Sequence, residues 1–567
     1  MRHLLLACAP LVLLGACVTV PQPDKAQLDP AAPAAADSAY GMFLAGNAAL
    51  QEGRNGEAAR FLDLARTQSG DDPAVAERAF MAALMSGDID KAALLAPEGV
   101  TATDPGVRLG RLTRVVAALA DGKGKLAKET LGSDGIGFPH RSAAALLGPW
   151  VSAAAGDADG SVVRPQLRGD PGVDYFGQLG QAALFERAHR FDEAETDLKA
   201  VTAGGSPSEI AVNAYGGFLE RRGRRAEALS LYDAALSRNP TNPALKAARA
   251  RAGAGKSPPP MPTIKEGAAF ALLAPAATMI NAKNEAVGLA YLRLSLRLDP
   301  SRNDAWLMLG DLLQSNGDSE GARAAYERPK PNTAEFAAAR AKLAWSYQSA
   351  GDKETALKLA RIAAATGDPE GRLTLSDLLR ANEKYDEAIG LLDGLIADAK
   401  GGAAWQLYYA RGQAYERTGR WKPAEADLIK ALSLRPDEAE LLNYLGYAWI
   451  DRGERLKEAM GMVEKAVAAN PRSGAIVDSL GWAHYRLGDY KKAVEILEQA
   501  VEMEAGDPEI NNHLGDAYWR VGRRDEAQFQ WRRVLTLKPD DKIKASAEAK
   551  LASGLGPDGP TPKLADK

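Results

Sequence analysis

Four glycines late in the chain constrain its fold more than any other feature. Gly412, Gly446, Gly481 and Gly515 follow one another at intervals of 34, 35 and 34 residues. Twelve or thirteen residues after each comes an alanine: Ala424, Ala459, Ala493 and Ala527. Four residues beyond that sits a large apolar side chain: Leu428, Val463, Leu497 and Trp531. Pro436, Pro471 and Pro539 then close three of the units. The pattern predicts one helix–turn–helix per repeat. Small residues mark where the two helices of a hairpin cross, the large one fills the space between consecutive hairpins, and proline stops the second helix. A lone hairpin cannot bury its apolar face, so neighbours must stack. The expected class is all-α: a helical-hairpin solenoid with a concave groove.

The same spacing recurs upstream, less perfectly. Gly46, Ala58 and Leu62 keep it, as do Ala182, Phe185, Ala194 and Leu198. So do Gly216, Ala228 and Tyr232, then Gly310, Ala322 and Tyr326, with further units centred on Ala344 and Ser376. This is the tetratricopeptide (TPR) pattern. Between Pro97 and Gly172, breakers (Asp104-Pro105, Gly132 to Gly137, Pro149, Pro165, Asp170-Pro171) predict irregular hairpins with longer loops. Three consecutive prolines in Lys256–Pro262 predict a break, so 38–255 is read as a degenerate N-terminal solenoid and 256–263 as a linker. Residues 264–552 are read as the second solenoid, ending in a capping helix, and 553–567 as a disordered Gly/Pro-rich tail.

The first residues address the chain to an envelope. A short basic start precedes an apolar run from Leu4 to Leu14, too short to span a bilayer as a mature helix. Leu14-Gly15-Ala16-Cys17 resembles a lipoprotein box, which implies that 1–16 is a signal peptide and that Cys17 is acylated (palmitate among the acyl chains). Residues 17–37 read as a Pro/Ala-rich tether. In lipoproteins of this kind an aspartate after the cysteine favours the inner membrane. Val18 stands there, so the expected location is the periplasmic side of the outer membrane. Cys8 and Cys17 are the only cysteines, so the mature chain would have no free thiol for a disulfide or metal site.

No catalytic constellation emerges. The histidines His140, His189, His484 and His513 sit in no zincin motif, no nucleophile elbow occurs, and no cofactor or metal site is expected. Lys+Arg 70 against Asp+Glu 74 gives a net charge of −4 without a basic block, which argues against nucleic acid. Chemistry is expected in the groove instead. Positions three before the repeat glycine, and one, four and five after it, face the concave side. These give Tyr409, Gln413, Glu416 and Arg417; Asn443, Tyr447, Ile450 and Asp451; Asp478, Trp482, Tyr485 and Arg486; and Asn512, Asp516, Trp519 and Arg520. Amides bond a peptide backbone, arginines fork onto carboxylates, and aromatics supply anchor area. Trp482 and Trp519 are expected exposed in the groove, so that replacing them abolishes partner capture without lowering the melting temperature.

The stretch from LNYLGYAWIDRGERLKEAM through GDPEINNHLGDAYWRVGRRDEAQFQWRRVL, the DPAVAERA at Asp72–Ala79 and the leader together resemble the bacterial periplasmic TPR lipoproteins. They are similar in particular to the outer-membrane adaptors that bind a carboxyl-terminal processing protease. The resemblance implies a non-enzymatic adaptor that tethers such a protease and presents peptidoglycan hydrolases to it. An assembly factor for envelope export or polysaccharide machinery is the alternative.

Overall fold

A computed structural model describes residues 38–556 apart from 71, 99–104, 133–135, 166, 168–169, 204–206, 241 and 332. The expected lipidation at Cys17, the tether and most of the tail lie outside the described residues. The chain is all-α, with helices and no strand among the described residues. No described helix is long and apolar enough to cross a membrane.

Consecutive helices pair as antiparallel hairpins, and the sequence marks most of their ends. Aspartate or asparagine caps helices that open on proline, as at Asp72-Pro73, Asp170-Pro171, Asn242-Pro243 and Asp507-Pro508. The hairpin turns after Arg486 and Arg520 run through Gly488 (φ 85°) and Gly522 (φ 86°), in the left-handed region glycine occupies without strain.

The repeat glycines do the job assigned to them, with one correction. A Cβ at Gly515 would lie 2.5 Å from Trp531 Nε1, and one at Gly481 would lie 2.6 Å from Leu497 Cγ. The large residue of each repeat therefore lies directly on the glycine of its own hairpin, as well as filling the space towards the next. Ala424, Ala459, Ala493 and Ala527 are wholly buried at the same crossings.

Two compact units divide between Leu375 and Ser376, inside the helix Pro369–Ala381. The break expected at Lys256–Pro262 is irregular backbone, but it lies within the unit 28–375, whose main core runs from Phe80 through Trp150 and Leu272 to Leu343. The helix Ile264–Asn281, which opens on a Thr263–Glu266 capping box, packs its alanines against the helix Arg141–Ala154. Burial there holds both sides of the prolines together.

The stretch 97–172 is more regular than its breakers predicted. Pro105 and Pro171 start helices, and Pro149 lies inside the helix Arg141–Ala154. An interior proline costs about 3 kcal/mol. Here Pro149 is buried, lining a small gap with Leu146, Pro165 and Phe176, and that apolar burial offsets the lost hydrogen bond. In the unit 376–567, one core centres on Trp449 and Val463, and another on Trp531 and Leu514.

Candidate protein-binding groove

The sixteen expected groove residues sit on four first helices, Trp405–Arg417, Ala439–Arg452, Gly474–Arg486 and Pro508–Arg520. The shared register brings them to one side of the stack, but the structure sorts them into three groups.

The last repeat is occupied by the chain's own C-terminal segment. Lys550, on the capping helix Asp541–Ser553, donates to Asn512 Oδ1 (2.9 Å) and to Asp516 Oδ2 (2.8 Å). Asp516 also accepts from Trp531 Nε1 (3.0 Å), and both Asn512 and Asp516 are buried. Arg520 donates to the carbonyl of Gly556 (2.9 Å), and Gly554 presses on the Trp519 ring, where a Cβ would clash. Trp519 is thus covered, tilted against Trp531 with centroids 5.4 Å apart. The expectation of an open tryptophan fails because the capping helix needs the same apolar surface.

In the third repeat the aromatics form a layer. Trp482 stacks on Tyr485 (4.5 Å, 7°) and on His513 (4.0 Å, 15°). His513 in turn pairs with the buried Asp478. Tyr485 is only 3% exposed, so it is core, and Trp482 is half-buried within the stack. His513 was not among the expected groove residues. It stands two residues before its repeat glycine, a register that counting from the glycine assigned to neither face.

The first two repeats stay more open. Tyr409, half-buried, donates to Glu440 (3.0 Å) and meets Tyr444 edge-on, and Gln413 accepts from Arg380 (2.5 Å). Tyr447 reaches across two repeats to Glu509 (3.2 Å). Burial raises the hydroxyl pKa of both Tyr409 and Tyr447, and the neighbouring glutamates add to the effect, so both remain neutral donors. Arg486 pairs with Asp451 (3.2 Å). Arg417 is exposed, with no ion pair or hydrogen bond recorded among the described residues, and Asn443 Oδ1 is shielded from solvent without a partner. Trp482 Nε1 is also shielded and unpartnered.

A second set of groove contacts escaped the sequence. Arg187 and Arg221 stand five residues after Ala182 and Gly216, the register of Arg417, Arg486 and Arg520. Arg221 donates to the carbonyl of Pro259 (3.0 Å) and Arg187 to that of Pro262 (2.9 Å). The proline stretch therefore lies along these repeats, and the recurring arginine was the signal for it. Among the described residues no cluster of three or more His, Cys, Asp or Glu side chains could hold a metal.

Profiles described as tetratricopeptide repeat match residues 265–539 and 179–243. A TPR repeat-containing protein of Pseudomonas aeruginosa is 38% identical over 110 residues, which is 19% of this chain and 18% of that protein. Tetratricopeptide repeat protein 37 of Xenopus laevis is 28% identical over 203 residues, 35% of this chain and 12% of that protein. The chain thus spans less than a fifth of these relatives' length. Among solved structures, a tetratricopeptide repeat protein from Parabacteroides merdae aligns with a TM-score of 0.39 at 13% identity, over 44% of this chain and 98% of that one. The Cut9-Hcn1 hetero-tetramer aligns with a TM-score of 0.38 at 15% identity, over 91% of this chain and 96% of the matched chain.

Proposed function

We propose that this chain, which belongs to the tetratricopeptide repeat family and serves as a protein-interaction scaffold, is a lipid-anchored periplasmic adaptor. In this reading Cys17 carries the acyl chains that hold it on the periplasmic side of the outer membrane of a two-membrane bacterium. The chain tethers a carboxyl-terminal processing protease and presents peptidoglycan hydrolases to it, breaking no bond itself. Holding both proteins on one scaffold raises their effective concentration without new chemistry.

The observation that supports a peptide seat is the uncommitted polar pair of the first two repeats. Arg417 is exposed and makes no ion pair among the described residues, and Asn443 Oδ1 lacks a donor there. An unpaired shielded acceptor costs about 1–3 kcal/mol, which a bound backbone N–H would relieve. Neighbouring positions are already engaged by the chain itself, so the seat lies between the helices Trp405–Arg417 and Ala439–Arg452.

Affinity capture of the intact lipoprotein from envelope extract tests this reading. It should enrich a processing protease and cell-wall hydrolases, and Arg417→Ala with Asn443→Ala should reduce that enrichment at least tenfold. Cys17→Ser should release the protein from the membrane fraction. Enrichment of export components alone, or hydrolase levels unchanged on deleting the gene, would overturn it.

A further inference from the structure

A cleft of about 1010 Å³ opens within the unit 28–375. It is lined by the helices Pro171–Arg187, Glu209–Arg221 and Pro243–Gly253, and by Pro331, Thr333, Phe336, Ile362, Thr366 and Asp368 of later repeats. Pro259, Pro260 and Pro262 line it as well.

This lining offers a ligand little backbone pairing. The helices satisfy their own N–H and C=O groups, prolines have no N–H, and the carbonyls of Pro259 and Pro262 are taken by Arg221 and Arg187. An extended segment buried here would leave its own amides unpaired, at a cost of several kcal/mol per group in an apolar setting. An α-helix brings its backbone already bonded. Alanines such as Ala183, Ala244 and Ala247 let a helix approach closely, while Phe336 and the 38% exposed Ile362 offer apolar contact. Two helical turns fill a cylinder about 11 Å long and 10 Å across, on the order of 900 Å³.

Charge narrows the choice. Glu186 pairs with Arg221, Arg251 with Glu220, and Asp368 accepts from the Gly371 amide. Lys246 is exposed and has no recorded partner among the described residues. We propose that this cleft receives an amphipathic α-helix from a partner protein, its apolar face on the alanines and Phe336 and a carboxylate against Lys246. The inference goes beyond the adaptor reading and does not rest on it.

The test uses full-length protein and a fluorescent synthetic helix of about 16 residues, with leucines at i, i+3, i+4 and i+7 and one flanking glutamate. Anisotropy should report binding. The same composition with a central proline should bind at least tenfold more weakly. Ala247→Trp, at an exposed helical position that tolerates bulk, should fill the cleft and also weaken binding at least tenfold. Lys246→Glu should weaken it about threefold, and a peptide carrying lysine in place of its glutamate should restore the loss. Trp482→Ala should leave this binding unchanged, which separates the cleft from the C-terminal groove. No binding, equal binding of the proline peptide, or indifference to Ala247→Trp would overturn the proposal.

Discussion

Nδ1 of His513 lies 2.9 Å from Oδ2 of Asp478, and both side chains are buried beneath the Trp482 ring. Burial alone would depress the imidazole. The charge and hydrogen bond of Asp478 overcome that and lift His513 to about 8. An unfolded histidine titrates near 6.5. The protonated pair therefore contributes stability that is whole below about pH 6.5 and lost as pH rises through about 8, worth about 2 kcal/mol. Chemical denaturation of wild type and His513→Gln from pH 6 to 9 should show the gap between them closing by that amount. A constant gap would mean that the ring is neutral throughout.

His140 should behave in the opposite sense. Its Nδ1 lies 2.7 Å from the Tyr291 hydroxyl, and burial holds its pKa down to about 4. The folded state keeps the ring neutral while the unfolded chain takes up a proton near 6.5, so stability present above that value falls away as pH drops towards 4. His140→Gln should remove an acid-dependent loss of about 3 kcal/mol. Acid-induced melting of wild type and variant, followed by circular dichroism, reads this directly.

Lys550 clamps the capping helix to the last repeat. Replacing it with alanine leaves Asp516 and Asn512 buried without their cation, a loss of about 3–5 kcal/mol for a buried pair broken on one side. Hydrogen exchange should accelerate across Pro508–Thr536 and little elsewhere. Lys550→Ala combined with Asp516→Ala should cost less than the two single changes summed. Strict additivity would mean that the contact carries no energy.

Gly515→Ala puts a methyl group into Trp531 and should cost about 1–3 kcal/mol through overpacking. Adding Trp531→Leu, the residue type that Gly412 and Gly481 already face, should recover most of that loss. Thermal melting of the single and double variants measures the recovery.

Trp482→Ala should now lower the melting temperature, because the ring stacks between Tyr485 and His513 rather than standing free. A drop of about 2–4 kcal/mol in stability is expected for a half-buried aromatic. An unchanged melting curve would return Trp482 to the open groove.

The hairpins were legible because their determinants are local. Gly481 and Leu497 lie one helical hairpin apart, and the close approach between them follows from helix geometry alone. The contents of the groove were not legible in the same way. Register placed Asn512 and Asp516 on the concave side, but nothing in their neighbourhood announced that Lys550 would fill the space between them. The prolines at 258–260 read as a break for the same reason. Rigidity is visible in a sequence, whereas the surface a rigid strand comes to rest on depends on the stacking of distant turns. Pro149 shows the limit from the other side, since a residue that ends exposed helices persists where burial beside Leu146, Pro165 and Phe176 supplies apolar contact.

The two arginines that hold Pro259 and Pro262 give those prolines the character of a gauge. Arg187 and Arg221 are one repeat apart, 34 residues in sequence, while their acceptors are three residues apart. Three residues of polyproline geometry would advance about 9 Å. The proline stretch thus ties the first helices of two successive hairpins together through its carbonyls. Deleting one proline would shorten it by about 3 Å and force one guanidinium to let go.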